Sequence, residues 1–380
     1  MAVYLILFLA LLNFTAFMGC RVLMSLFAIE LGASTAAIGV LISLFALCPF
    51  LLSVYAGKVI DRFGSHLPAQ LGTALSALGF SIPWLFPVLP ALYLSALIIG
   101  LSFVFISLAI QNLSSTARDA NVRARDVSLV SLGFALSGLF GPLLTGFVID
   151  RQGHVFAYLL LTMLAIAAAV GWLVSRRFVT DSHARGASAA PTDMRELLKL
   201  PQLRRTVVVS GLVVAGVDLY NFYMPIYGHS VGLSATMIGV VFGANSLAVL
   251  IVRGLLPRLT RWLGEERVMS YSMYLAGAAF LLIPVFEGAA PLMLLAFVLG
   301  LGLGCGQPLS ILMTYNRAPA GRSGEALGVR FAVVNFTHMA IPLAFGTLGS
   351  ALGVIAVFLS NAALMVGGGY ANARGARAGT

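Results

Sequence analysis

The sequence predicts an all-α membrane protein in which twelve transmembrane helices form two pseudo-symmetric six-helix bundles. Of its 380 residues, 60% are hydrophobic and 9% are charged, whereas charges make up about a quarter of a typical soluble domain. The apolar runs are mostly about 20 residues long, the length at which a helix crosses the hydrocarbon of a bilayer. They are continuous rather than alternating in polarity, which favours helices over a transmembrane barrel.

The predicted spans divide into two groups of six. They cover residues 4–28, 36–56, 68–89, 91–113, 127–149, 155–175, 205–228, 235–252, 268–286, 290–313, 327–346 and 350–369. Between the groups, residues 176–203 turn polar, and residues 194–200 have an amphipathic pattern that favours the membrane surface. The predicted domains are therefore a six-helix bundle over 1–175, a cytoplasmic linker over 176–203, and a second six-helix bundle with a short cytoplasmic tail over 204–380.

Basic residues predict the orientation of the chain. Of the 23 Lys and Arg, all but Arg21 and Arg151 fall in one set of alternate loops and the C-terminal tail, with Arg330 assigned to the loop before the eleventh span. The positive-inside rule makes that side cytoplasmic. We therefore expect an integral protein of the plasma (inner) membrane with both termini in the cytoplasm.

An internal repeat links the two groups of spans. Residues 31–40, LGASTAAIGV, align with residues 231–240, VGLSATMIGV, at an offset of 200. The same offset pairs Gly64 with Gly264, Gly100 with Gly300, Pro142 with Pro342 and Gly146 with Gly346. In a transporter built from such a duplication, the binding site lies between the halves near the middle of the membrane.

A charged stretch between the second and third spans carries the most specific motif. Gly57, Asp61, Arg62 and Gly64 have the spacing Gly-x-x-x-Asp-Arg-x-Gly. This spacing resembles the signature loop between the second and third helices of the major facilitator superfamily, a large family of secondary transporters. The two basic residues that usually follow in that family are replaced by SH here.

The resemblance implies that this motif acts as a conformational switch. A carboxylate at Asp61 can pair with a basic residue such as Arg118 or Arg123 and hold the cytoplasmic helix ends in one state. Glycines at the two ends of the motif let the backbone approach closely and turn tightly. The alternative is a solvated loop that is charged only for topology.

The fifth span is similar to a second signature of the family. Its sequence GPLLTG, with Gly141 and Pro142, resembles the Gly-Pro-x-x-Gly-Gly pattern of the antiporter branches, although Thr145 stands at the first glycine of the closing pair. Glycine permits close helix packing, and proline permits a bend. Those branches also carry an arginine in the fourth helix a few residues before a glycine, whereas the four residues before Gly100 here are ALII, without an arginine.

Two ionisable residues lie clearly inside predicted spans, Arg21 in the first and Asp218 in the seventh. A charge at the bilayer centre costs at least about 2.5 to 3.5 kcal/mol, so it is seldom kept without a role. At the repeat offset the two residues lie about one helical turn apart in depth. We predict that both face a central cavity, pair in the empty protein, and exchange that pairing for substrate or a proton. The alternative is a structural ion pair, or an Arg21 that reaches the outer surface.

Polar residues on the seventh, tenth and eleventh spans are further candidates for substrate binding or coupling. They are Tyr220, Asn221, Tyr223, Gln307, Asn335 and His338. Tyrosine suits a cavity for a partly apolar solute and also occurs at membrane interfaces. The tenth and eleventh helices contribute to the cavity in the family that the chain resembles. A membrane histidine can titrate near neutral pH, and it serves as often as a hydrogen bond between helices.

These features predict a transporter. A membrane enzyme would need a nucleophile or a metal cluster, and the sequence groups none of its few His, Asp, Glu or Cys residues at ligand spacing. It also lacks a nucleotide-binding signature. We therefore expect no enzyme, no cofactor and no metal site, but a secondary active transporter that moves a small organic solute by alternating access.

The mode of transport is open at this level. The Gly-Pro signature favours proton-coupled export by antiport, including efflux of drug-like compounds. Uptake of a carboxylate-bearing solute, for which Arg21 would serve, is the alternative, and a receptor or structural membrane protein is a weaker one. The expected partners are a small-molecule substrate, protons and the lipid bilayer, without nucleic acid, and the chain is expected to be a monomer.

Overall fold

The computed structural model describes residues 2–115, 120–175, 197, 199–319 and 322–377, and nearly all of them are helical. The helices are α1 (Ala2–Glu30), α2 (Thr35–Phe63), α3 (His66–Leu85), α4 (Leu89–Ser115), α5 (Ala120–Gln152), α6 (His154–Ser175), α7 (Pro201–Ser230), α8 (Ala235–Leu263), α9 (Glu265–Leu282), α10 (Ala289–Leu303), α11 (Gly306–Arg317) and α12 (Ser323–Arg377). A short 3-10 helix, Ile283–Val285, follows α9.

The chain forms two compact units. Unit 1 comprises Met1–Ala187 and Gly232–Gly243, and unit 2 comprises Ser188–Val231 and Ala244–Thr380. The first part of α8 therefore belongs to unit 1 and the rest to unit 2. The break between the units at residue 187 falls inside the predicted linker, while the division into six plus six helices stays a prediction.

Ten stretches of the described residues are long and apolar enough to cross a membrane, whereas the sequence predicts twelve. One of the two missing spans is α3, which is 20 residues long but is interrupted by several polar side chains. The other lies in α12, a 55-residue helix that counts as one stretch although its backbone leaves the helical conformation at Gly353. A length of 55 residues exceeds twice the roughly 20 that one crossing requires.

The repeat predicted from the sequence reappears in the backbone. Glycines with a positive φ, a conformation that other residues rarely adopt, occur in pairs that are 200 residues apart, the offset of the repeat. They are Gly32 and Gly232 (76° and 78°), Gly64 and Gly264 (78° and 80°), and Gly153 and Gly353 (87° and 84°). The first pair ends α1 and α7, and the third separates α5 from α6 and breaks α12. The two halves of the chain therefore turn at equivalent residues.

Helix contacts repeat at the same offset. In unit 1, a Cβ on Gly100 of α4 would lie 2.6 Å from the backbone oxygen of Phe45 in α2. In unit 2, a Cβ on Gly300 of α10 would lie 2.4 Å from the backbone oxygen of Asn245 in α8. Each glycine lets two helix backbones touch at a crossing where any side chain would force them apart.

Each unit has its own packed interior. In unit 1, α1 packs against α5 and α6, and α3 packs against α4 and α6. Phe17 of α1 stacks on Phe103 of α4 with ring centroids 4.2 Å apart. In unit 2, α7 and α9 both pack against α12, and Leu197, from the predicted amphipathic segment, is buried against Leu203 and Val329. The other residues of that segment's first half lie outside the described ranges.

We predict that Gly300→Val lowers the thermal unfolding midpoint of the purified protein. The added side chain would overlap the α8 backbone, and overpacking of this kind costs about 1–3 kcal/mol. Gly254→Val is the matched control, because it adds the same side chain to a helix where nothing lies within 4 Å of the new Cβ. The buried thiols of Cys20 and Cys305 can report unfolding through a thiol-reactive dye. Equal midpoints for the two variants would contradict the crossing.

Candidate functional site

Unit 2 holds an acid and an imidazole that come from two neighbouring helices. The Oδ2 atom of Asp218 in α7 lies 2.5 Å from the Nδ1 atom of His338 in α12. The Asp218 side chain is 1% exposed, whereas the His338 side chain is 35% exposed. The carboxylate is therefore shielded, and its imidazole partner is the member of the pair that can be reached.

The packing of α7 on α12 fixes this pair. One end of the contact is at Gly211, where an added Cβ would lie 3.4 Å from Thr337. The other end is at Tyr223, whose hydroxyl donates a hydrogen bond to the backbone oxygen of Phe345. The hydrogen-bonded pair lies between these two packing contacts along the helix interface.

The aromatic candidates have structural contacts in unit 2. Tyr223 is fully buried, and its hydroxyl occupies space left by Gly349, where an added Cβ would lie 2.1 Å away. Tyr220 is 2% exposed, and Asn221 is half-buried. The contact at Phe345 supports a packing role for Tyr223, whereas a role for Tyr220 and Asn221 in substrate binding stays a prediction.

Gln307 has a partner that the sequence reading placed elsewhere. Its side-chain oxygen accepts a hydrogen bond of 2.5 Å from Arg330. The assignment of Arg330 to a loop is wrong, because this residue lies within α12 and is 6% exposed. The error arose because the sequence does not mark where this helix begins. The helix starts at Ser323, before the apolar stretch, and therefore includes Arg330. Asn335, on the same helix, is half-buried.

Arg21 lies in α1 and is half-buried. Its backbone oxygen accepts a hydrogen bond of 3.1 Å from the hydroxyl of Ser25. Arg21 belongs to unit 1 and Asp218 to unit 2. The pairing between them therefore stays a prediction, next to the observed pairing of Asp218 with His338.

The motif predicted as a loop is largely helical. Helix α2 continues to Phe63, so Gly57, Asp61 and Arg62 are helical residues, and the turn itself is confined to Gly64 and the residue after it. Gly64 has a φ of 78°, as a tight turn requires. The close backbone approach expected at Gly57 is not seen, because α2 presents this position to open space with nothing within 4 Å of an added Cβ.

The switch role of this motif is not tested by the structure. The side chain of Asp61 lies outside what the structure describes, as do Arg118 and the side chain of Arg123. The guanidinium of Arg62 lies 5.2 Å from the ring centroid of Phe63.

The Gly-Pro signature joins three helices of unit 1. A Cβ on Gly141 of α5 would lie 2.6 Å from the backbone oxygen of Thr15 in α1, and a Cβ on Gly239 of α8 would lie 2.5 Å from the backbone oxygen of Pro142. Thr145, which replaces a glycine of the family pattern, is buried in the space that Gly19 of α1 leaves open. The departure from the pattern is therefore compensated across the α1–α5 contact.

Sequence reasoning missed Asp150, near the end of α5. Its two carboxylate oxygens accept hydrogen bonds from the backbone N–H groups of Ala235, at 2.9 Å, and Thr236, at 2.7 Å. These are free donors of the first turn of α8, where a negative charge also interacts favourably with the helix dipole. An acidic residue at the end of an apolar span was the available signal.

Fold and site together define an α-helical membrane protein with an intramembrane acid–imidazole pair, features typical of solute transporters. The sequence profile of the Major Facilitator Superfamily matches residues 6–291. The chain belongs to this family, which confirms the resemblance drawn from its motifs. It is a transporter and not an enzyme.

Its relatives include drug-resistance proteins. Multidrug resistance protein 1 of Bacillus subtilis is 20% identical over 84% of this chain and 82% of its own length. The class G tetracycline resistance protein of Vibrio anguillarum is 24% identical over 82% of this chain and 80% of its own length. The quinolone resistance protein NorA of Staphylococcus aureus is 21% identical over 84% and 82%.

Solved structures share the fold. The nucleoside transporter NupG matches with a TM-score of 0.79 at 15% identity, over 98% of both chains. A POT family transporter in complex with a thioalcohol-conjugated peptide matches with a TM-score of 0.81 at 14% identity, over 97% of this chain and 94% of its own.

We predict that Asp218 and His338 are energetically coupled. His338→Ala should lower the free energy of unfolding by about 1–3 kcal/mol, because it leaves the buried Asp218 carboxylate without this hydrogen bond, and Asp218→Ala should lower it less, because the imidazole that it leaves is 35% exposed. The double variant should lose less than the sum, since both changes remove the same contact. Thermal unfolding of the four proteins measures this, and strict additivity would contradict the pairing.

Proposed function

We propose that the protein is a proton-coupled exporter of a small organic solute, and that the Asp218–His338 pair carries the proton. The observation that supports this most is the shielding of Asp218 behind a half-exposed imidazole. A carboxylate in hydrocarbon is costly and marks an ion or proton pathway in membrane transporters. An imidazole changes its charge near neutral pH and can pass a proton to an adjacent acid.

The proposed cycle is an antiport. With Asp218 negative and His338 protonated, the pair is a salt bridge, and a second proton neutralises the acid and releases the contact between α7 and α12. Proton binding and solute binding then favour opposite states of the transporter, as exchange requires. The drug-resistance relatives support export as the direction.

The architecture proposed for this cycle is twelve transmembrane helices in two six-helix bundles, over 1–175 and 204–380, joined by the linker 176–203. The paired turn glycines and the break at Gly353 support this division. We propose that the chain works as a monomer in the plasma (inner) membrane with both termini in the cytoplasm. The Gly57–Gly64 motif serves as the cytoplasmic switch, and Arg21 faces the cavity.

Uptake of a carboxylate-bearing solute is the second candidate. It is favoured by the presence of half-buried Arg21 in α1, since a guanidinium recognises carboxylates. Proteoliposomes separate the two directions: an imposed proton gradient drives solute against the proton flow in the first case and with it in the second.

We predict that Asp218→Asn abolishes proton-driven transport and leaves solute exchange in the absence of a gradient. The amide keeps the shape of the side chain but cannot bind and release a proton. Everted membrane vesicles are loaded with a proton gradient and tested with tetracycline, norfloxacin and ethidium as probes. Glu30→Gln is the matched control, because it removes an acid whose side chain is 56% exposed. Unchanged, still pH-dependent transport in Asp218→Asn would remove this residue from coupling.

We further predict that Asp150→Asn speeds the opening of the contact between α5 and the start of α8. The segment Gly232–Gly243 belongs to unit 1 although the rest of α8 belongs to unit 2. The Asp150 carboxylate is one of its contacts with α5, so the proposed rocking has to break it. A cysteine placed at Ser234 should react faster with a membrane-impermeant maleimide in the variant. The control is Arg151→Gln, which changes the neighbouring charge, and equal labelling rates would exclude Asp150 as a latch.

A further inference from the structure

Unit 2 contains a buried cation that the proposed proton pathway does not use. Arg330 lies about two helical turns from the start of α12 and is 6% exposed. A guanidinium stays charged in proteins, so burial cannot be relieved by loss of a proton. The position therefore needs either strong hydrogen-bond partners or a counter-charge.

The partners of Arg330 come from α11 and are uncharged. Its Nε atom donates to the hydroxyl of Ser310 at 3.0 Å, and one terminal nitrogen, Nη2, donates to the same hydroxyl at 2.7 Å. Nη2 also donates to the side-chain oxygen of Gln307 at 2.5 Å and approaches the Gln307 backbone oxygen at 3.4 Å. Nη1 forms no hydrogen bond within the described part of the chain.

Three half-buried arginines of unit 2 have carboxylate partners, whereas a fourth, Arg253, donates to the backbone oxygen of Gly304 at 3.4 Å. Arg205 and Arg317 both bind Glu266, the first at 3.0 Å. Arg322 binds Glu325 at 2.8 Å. Among the described residues, by contrast, no Asp or Glu forms an ion pair with Arg330. This cation is held in one orientation by neutral groups, while its charge is not balanced by them.

Arg330 also lies on α12, the helix that carries His338 of the Asp218–His338 pair. It precedes His338 by eight residues on α12, which corresponds to about 12 Å along the helix axis. Helix α11, which carries Gln307 and Ser310, packs against α7, which carries Asp218. The cation and the pair thus belong to one three-helix cluster of unit 2.

We propose that Arg330, oriented by Gln307 and Ser310, is an anion-binding subsite that takes the carboxylate of the transported solute. That the bound anion is also the transported solute rests on the proposed function. The substrate class is then organic monoanions with a carboxylate. A planar guanidinium with a free edge suits a carboxylate, which supplies two acceptor oxygens and the missing negative charge. The competing explanation is an arginine that only links α11 to α12.

A ligand-binding measurement without any gradient tests this. The purified full-length protein is unfolded thermally in detergent with increasing sodium benzoate, and benzamide, which has the same ring without the charge, is the paired ligand. Sodium chloride and sodium phosphate at matched ionic strength distinguish a carboxylate from an inorganic anion. Benzoate should raise the midpoint progressively, as a ligand of the native state does, while benzamide, chloride and phosphate should not.

Gln307→Glu is the decisive variant. It places a carboxylate of the protein's own against Arg330 and keeps the α11–α12 link, so the fold is retained while the cation is neutralised. The apparent affinity for benzoate should fall by more than about tenfold, in line with the loss of a buried charge pair. Arg330→Gln should abolish the benzoate shift. Arg322→Gln should leave it intact, because Arg322 already has a carboxylate partner in Glu325.

Two kinds of result would overturn the proposal. One is a benzoate shift that is absent from the wild type or persists in both Arg330→Gln and Gln307→Glu. The other is an equal, Arg330-dependent shift with chloride or phosphate, which would make the site one for inorganic anions. Asp218→Asn should still bind benzoate, so a failure of proton coupling and a failure of this subsite give different results.

Discussion

The hydrocarbon environment is the constraint on which the rest of this structure depends. Water is not there to solvate buried polar groups, so each one has to find a partner inside the protein. Several of the buried polar side chains in this protein form specific contacts between helices. Asp218 binds His338 between α7 and α12, and Arg330 binds Gln307 and Ser310 between α11 and α12.

The same helix crossing differs between the two repeats in the residues that form it. Helices α1 and α5 in unit 1 correspond to α7 and the first part of α12 in unit 2. In unit 1 the crossing is close, because Gly19 and Gly141 let the backbones touch. The equivalent positions in unit 2 are Leu219 and Ile341, and the polar pair lies beside them. Unit 1 thus has a close backbone contact at this crossing, and unit 2 has a hydrogen-bonded acid and imidazole there.

The sequence was sufficient for much of the fold, because composition and apolar length reflect the bilayer directly. It also revealed the repeat, since turn glycines such as Gly64 and Gly264 are constrained by backbone geometry and change little after duplication. Helix ends were less accessible. Helix α2 continues through the charged motif to Phe63, because helical hydrogen bonds do not stop where the apolar stretch ends.

The sequence predicted which residues belong to the candidate site, but it did not predict which of them pair. Asp218, His338 and Gln307 stood out as polar residues in apolar spans, but which helices meet is a property of tertiary packing. The sequence therefore suggested Arg21 as the partner of Asp218 and gave no sign that Arg330 reaches Gln307. In the sequence alone, an arginine in the first turns of a span cannot be distinguished from a loop residue, because its partners lie on a different helix.

The matched turns have a consequence for how this chain can be modified. Because Gly64 and Gly264, and likewise Gly153 and Gly353, adopt the same backbone conformation at the same register, segments cut at these points have compatible ends. Pieces of one repeat can therefore be exchanged for their counterparts with helix lengths and reversals preserved. Such recombinants would reveal which differences between the repeats arose by drift and which were selected for separate tasks.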